Sequence, residues 1–170
     1  MSKIGSYYYA VIRLRKLNNF NVEVSYIMNK KAEQFKAFLE ERKINAFQME
    51  EIPENAQNAV VFRSFIGVAG QQLPALVITD DSDFSMLRIQ IVPQAVNEAN
   101  MVELLKMINT QNFRYKPFKL YFDEPGNLIL DTCMVVKNNQ LDGEEVYRMF
   151  NLIINYLDEN YREIMKAVWK

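Results

Sequence analysis

The sequence predicts an α+β domain: a mainly antiparallel sheet with three helices over one face or its ends, in the order α-β-β-β-β-α-β-β-α. Three observations carry this. Apolar residues recur at helical spacing in three separate stretches. Between those stretches they alternate with period two. Pro, Gly and Asp clusters mark the boundaries. At 170 residues the chain fits one compact domain with a real core.

The first helix follows Asn29, a residue suited to the N-cap. Ala32, Phe35, Phe38 and Leu39 form its apolar stripe, with Lys and Glu between them, and it should end near Lys43. Phe47 and Met49 then alternate with Gln48 and Glu50. Pro53-Glu54-Asn55 breaks the chain. Val60, Phe62, Ile66 and Val68 share one parity. Gly70-Gln71-Gln72 reads as a turn. Leu73 to Thr79 is nearly all apolar, and Pro74 suits a strand start or an edge. After Asp80-Asp81-Ser82-Asp83, Leu87, Ile89 and Ile91 alternate with Arg88 and Gln90, and Pro93 ends that strand. Asn100 with Glu103 resembles a capping box, and Met101, Leu104, Leu105 and Ile108 would carry the stripe of a second helix fraying by Asn109–Asn112.

A hairpin follows. Phe118, Leu120 and Phe122 share a face that Leu128 and Leu130 must join. A loop of Glu124-Pro125-Gly126 pairs Phe122 with Leu128 and Leu120 with Leu130, with Gly126 in the left-handed position. It also sets Lys119 opposite Asp131 and Tyr121 opposite Ile129. Slipping by one residue would invert both faces. The last helix starts at a second capping-box pattern, Asp142 with Glu145. Its stripe of Val146, Met149, Phe150, Ile153, Leu157, Tyr161, Ile164 and Val168 runs on without Pro or Gly.

Composition narrows function. Lys+Arg 20 against Asp+Glu 21 leaves no global field for nucleic acid or an anionic membrane. With 0 His, Ser-His and Cys-His catalysis and imidazole metal ligands are excluded. With 1 Cys, an intramolecular disulfide and a multi-cysteine zinc site are excluded as well. No stretch approaches the ~20 apolar residues of a membrane span, so the cytoplasm is the expected compartment and no membrane partner is expected. Residues 1–27 form an N-terminal extension to a single domain over 28–170. The extension is basic at Lys3, Arg13, Arg15 and Lys16 and tyrosine-rich at its front. It reads as an extra element packed on the domain edge, as a mobile arm, or as sequence upstream of a natural start at Met28.

Residues 30–168 resemble the bacterial YbjN-like family, described as sensory-transduction regulators, whose fold is similar to that of type III secretion chaperones. The resemblance lies in Leu104-Leu105-Lys106-Met107-Ile108-Asn109-Thr110-Gln111-Asn112, in the strand Phe118-Lys119-Leu120-Tyr121-Phe122-Asp123, and in the return Gly126-Asn127-Leu128. It implies a binding or chaperone-like domain with an unidentified protein client, able to form a homodimer. It implies no catalytic residue, cofactor or metal ligand, so an enzyme is not expected.

Several motifs have a plain reading beside a sharper one. Asp80-Asp81-Ser82-Asp83 lacks the Gly and distal Glu of a calcium loop and reads as a turn with solvated acids. Cys133 reads as a passive thiol. The basic-aromatic stretch 113–121, with the basic N-terminal arm, offers an alternative nucleic-acid-binding function through base stacking and phosphate contacts. It lacks the glycine pattern of RNA-recognition sheets. The favoured site is the outer face of the sheet, where parity places Phe65, Met86, Arg88, Lys119, Tyr121 and Ile129. Apolar groups collected there would form a binding or dimerisation patch for a partner segment.

Overall fold

The computed structural model describes residues 28–170. Helix α1 is Lys30–Glu41, followed by β1 Gln48–Glu51, β2 Val60–Val68, β3 Gln71–Thr79 and β4 Phe84–Val92. Helix α2 is Met101–Arg114, then come β5 Lys119–Phe122, β6 Leu128–Val135 and a 3-10 turn at Lys137–Asn139, and α3 is Gly143–Val168. The six strands form one sheet in the order β1-β2-β3-β4-β6-β5, with every neighbouring pair antiparallel. The architecture is therefore the expected α+β one, with an open antiparallel sheet and three helices.

The core lies between one sheet face and the helices. Phe62, Ile66, Val77, Leu87, Ile89, Leu120, Leu128 and Leu130 point into it from the strands. Phe35, Leu104, Ile153, Leu157 and Ile164 meet them from the helices. The β5–β6 register is the predicted one, with Phe122 opposite Leu128 and Leu120 opposite Leu130. Gly126 takes φ 84° in its loop, a value that only glycine adopts without strain.

Local sequence explains most boundaries. Asn29 caps α1 by accepting from the Ala32 amide at 2.9 Å, and its amide donates to the Asn58 carbonyl at 2.8 Å. That ties the helix start to the beginning of β2. The β2–β3 hairpin turns at Ala69-Gly70, with φ of 48° and 80°, as a two-residue loop of this twist requires. Gln71 and Gln72 thus belong to β3 and not to the turn. Gly143 opens α3 in contact with α1: a Cβ there would come within 2.2 Å of the Phe38 ring.

Five expectations need correction. Pro74 lies inside β3, a central strand, where it pairs with Phe65. It is tolerated because the β3–β4 ladder begins only at Ala75, so its missing N–H has no partner strand to serve. Asn100 does not cap α2 with its side chain. It is fully buried and donates instead to the carbonyls of Ala95 at 2.9 Å and Val168 at 2.7 Å, fastening the end of α3. The α2 stripe is narrower than predicted: Leu104, Ile108 and Gln111 are buried, while Met101 and Leu105 face outward. The helix also continues to Arg114, because Lys119 Nζ donates to the Asn112 and Tyr115 carbonyls, each at 3.0 Å, and holds its last turn. At α3 the capping box forms by half. Asp142 accepts from the Glu144 amide at 2.8 Å, while the Glu145 carboxylate pairs with Arg148 at 3.6 Å.

Candidate protein-binding face

Strand parity sorts the side chains of a sheet into two faces. Here the helices take one face, and the other faces away from them. Register then sets outward residues side by side across strands. One row runs Val61, Ile78, Met86, Cys133. The next runs Arg63, Leu76, Arg88, Asp131, Lys119. A third holds Phe65 beside Pro74 at one side and Gln90, Ile129 and Tyr121 at the other. Phe84 and Val135 face each other at the end of β4 and β6, and both are exposed.

All six residues expected on this face have outward parity. Phe65 is 65% exposed, and Lys119 is also exposed. Met86, Arg88 and Tyr121 are half-buried. Ile129 is the correction: it is only 4% exposed. Its cross-strand neighbours are Tyr121 and Gln90, whose longer side chains flank it. It therefore lies on the outward side of β6 with almost no surface of its own.

The polar centre of the face is a closed network. Arg88 donates to Asp131 through Nε at 2.9 Å and through Nη2 at 2.8 Å, the two-pronged geometry that suits guanidinium and carboxylate. The Tyr121 hydroxyl donates to the same carboxylate at 2.8 Å. Removal from water, and then this bond to Asp131, push the Tyr121 phenol up to about 12. The bond to Asp131 likewise holds the Arg88 guanidinium above its ordinary value. Lys119 stands opposite Asp131 as the register predicted, yet its ammonium turns to the α2 carbonyls. Farther across the face, Arg63 pairs with Glu50 at 2.7 Å. Arg63, Glu50, Arg88 and Asp131 are thus paired within this surface, while Lys119 is held by backbone carbonyls at its edge.

Sequence reading missed five apolar members of the face: Leu76, Ile78, Phe84 and Val135, and the buried Val61. Leu76 and Ile78 sit in the run Leu73–Thr79, where neither parity is polar enough to reveal the outer side. Phe84 and Val135 lie at strand ends that alternation does not fix. The Arg88–Asp131 pair was invisible because it depends on β6 inserting between β4 and β5.

The other motifs have structural roles. Asp80 accepts from the Ser82 amide at 2.9 Å and the Ser82 hydroxyl at 2.6 Å, and lies 3.6 Å from Lys31 Nζ. In the 113–121 stretch, Phe118 is buried, and its ring lies 5.6 Å from Tyr115 and 4.5 Å from Tyr156. Phe113, Arg114 and Lys116 remain at the surface. Cys133 is a free, exposed thiol. No group of metal-ligating side chains occurs among the described residues, and none of their helices is long and apolar enough to cross a membrane. The N-terminal arm at 1–27 lies outside the described residues. No family model matches the chain, and no characterised protein matches it significantly.

Proposed function

We propose that the chain is a non-enzymatic protein-binding domain, chaperone-like or regulatory, whose outer sheet face receives an extended apolar segment of a partner protein. One observation carries this reading. Phe65, Leu76, Ile78, Phe84, Met86 and Val135 share the sheet face that the three helices leave uncovered. Large apolar groups collected on one face are the usual mark of an interaction surface. The charges in the middle of the face, Arg88 with Asp131 and Arg63 with Glu50, are already paired, so an uncharged stretch of partner fits it better than a charged one. The sequence resemblance to the YbjN-like family, with its type III secretion chaperone-like fold, favours the same function. A cytoplasmic location belongs to this proposal and fits a single free thiol.

A photo-reactive phenylalanine analogue at position 65 of the full chain tests it. Irradiation in cells should capture one recurrent partner, and the purified partner should bind the unmodified protein. Phe65→Glu should then weaken binding by at least about tenfold, as loss of an aromatic anchor does. Val102→Glu, on the exposed side of α2, should leave it intact. Equal binding by a folded Phe65→Glu protein overturns the proposal. Cross-links only between copies of the chain would assign the face to a homodimer.

A further inference from the structure

A second surface lies on the helix side of the sheet, where the α2–β5 connection meets α3. Two adjoining clefts occur there. One, of about 440 Å³, is lined by Tyr115, Pro117, Leu152 and Tyr156. The other, of about 380 Å³, is lined by Pro117, Met134, Met149 and Leu152. They share Pro117 and Leu152, so successive side chains of one segment could fill both. Leu152 is 45% exposed at the shared wall. The floor is fixed beforehand: Tyr156 lies edge-on to Tyr115 at 4.5 Å, and its hydroxyl donates to Gln111 Oε1 at 3.3 Å. The methionines of the second cleft can adjust to the shape of what enters.

The rim carries sign. Arg114 and Lys116 border the first cleft, and neither forms an ion pair among the described residues. Arg148 borders the second and is held only at 3.6 Å by Glu145 of its own helix. Glu159 lines the first cleft with Arg114 and Lys116, and Glu145 lines the second with Arg148, two carboxylates against three cations. Cations at the rim therefore outnumber the carboxylates that oppose them.

We infer that this double cleft binds a short protein segment with apolar side chains flanked by acidic ones. The site is separate from the outer sheet face: Met134 has the inward parity of β6, and the cleft opens among the helices. Apolar walls supply the burial, and Arg114, Lys116 and Arg148 supply attraction that salt should weaken. Single-stranded RNA would use the same cations and the exposed Phe113, but Phe118 is buried and cannot stack a second base beside it.

The test uses fluorescence anisotropy with the full chain and three probes. One peptide carries two leucines and a phenylalanine flanked by glutamates, the second carries the same core flanked by lysines, and the third probe is single-stranded oligouridine. The acidic peptide should bind at least about tenfold more tightly than the basic one, and more weakly as salt rises. Leu152→Glu and Arg114→Glu should each weaken it by about tenfold, while Phe65→Glu should not affect it. Both altered side chains are exposed, and a thermal melt verifies the fold. Absence of binding, equal binding of the two peptides, or unchanged binding by folded Leu152→Glu overturns the inference. Tighter binding of oligouridine than of the acidic peptide also overturns it and favours nucleic acid. Loss through Phe65→Glu alone would return the peptide to the outer face.

Discussion

The carbonyls of Ser82 and Phe84 converge on Lys31 Nζ, the Ser82 contact measuring 2.7 Å. Lys31 is only 1% exposed, so its stem replaces apolar packing while its head ties the β3–β4 turn to α1. Lys31→Met keeps the stem and removes the donor. It should cost about 1–3 kcal/mol, because two part-buried carbonyls lose their donor and Asp80 loses its cation. A urea melt checks this, and an unchanged midpoint would show that water replaces the ammonium. Tyr121 gives a residue-scale test of the outer-face network. Its phenol is pushed up to about 12, first by removal from water and then by the bond to Asp131. A free tyrosine ionises near pH 10, so folding favours the neutral phenol. This contribution is complete below pH about 10 and is lost as pH rises toward about 12. Absorbance at about 295 nm should show Tyr121 titrating late, by difference from Tyr121→Phe. Asp131→Asn should bring it down without restoring the free value, since removal from water remains. A phenol in Tyr121 that ionises normally would mean that the network does not form.

At the scale of elements, one edge of the sheet is closed by a side chain. β5 is guarded: Asn112 accepts from the Leu120 amide at 2.8 Å and donates to the Leu120 carbonyl at 3.0 Å, standing in for a neighbouring strand. Asn112→Ala should therefore loosen β5, with a loss of about 1–2 kcal/mol. Exchange of the Leu120 amide with deuterium should quicken while that of Leu130, in the neighbouring strand, stays slow. Equal protection of Leu120 in both proteins would refute the guard. The same elements show what sequence can reveal. The β5–β6 register was legible because a slip would have buried Asp131 and exposed Leu120, a large penalty for one residue. The α3 stripe was legible because 26 residues of a single period leave little ambiguity. The α2 stripe was not: with Met101 and Leu105 beside Leu104 and Ile108, both sides of the helix are apolar, and packing alone decides which one is covered. Asn112 and Asn100 looked like a helix end and a cap. Their actual partners, Leu120 and Val168, depend on contacts between elements.

At the scale of the molecule, the described residues, 28–170, hold six strands, three helices and the core between them. The first helix is anchored from within this unit, by Asn29 on Asn58 and by Lys31 on the turn at Ser82. The outer face was half legible: Phe65, Met86 and Arg88 stand in clear alternation, but the width of the patch depends on strand order. That order places β6 between β4 and β5, joining Val135 and Cys133 to Phe84 and Met86. A chain beginning at Met28 should fold by itself, because the six-stranded sheet and the core beneath it are built from residues within 28–170. Its urea transition should be single, with fluorescence and far-ultraviolet circular dichroism superimposing. Its slope against denaturant should match that expected for a domain of this size, since the slope follows the surface exposed on unfolding. Binding of the cross-linked partner should also persist in the shortened chain if the outer face alone receives it. A broad or probe-dependent transition would show that residues 1–27 complete the core. A cooperative transition with lost partner binding would instead place part of the binding surface in those residues.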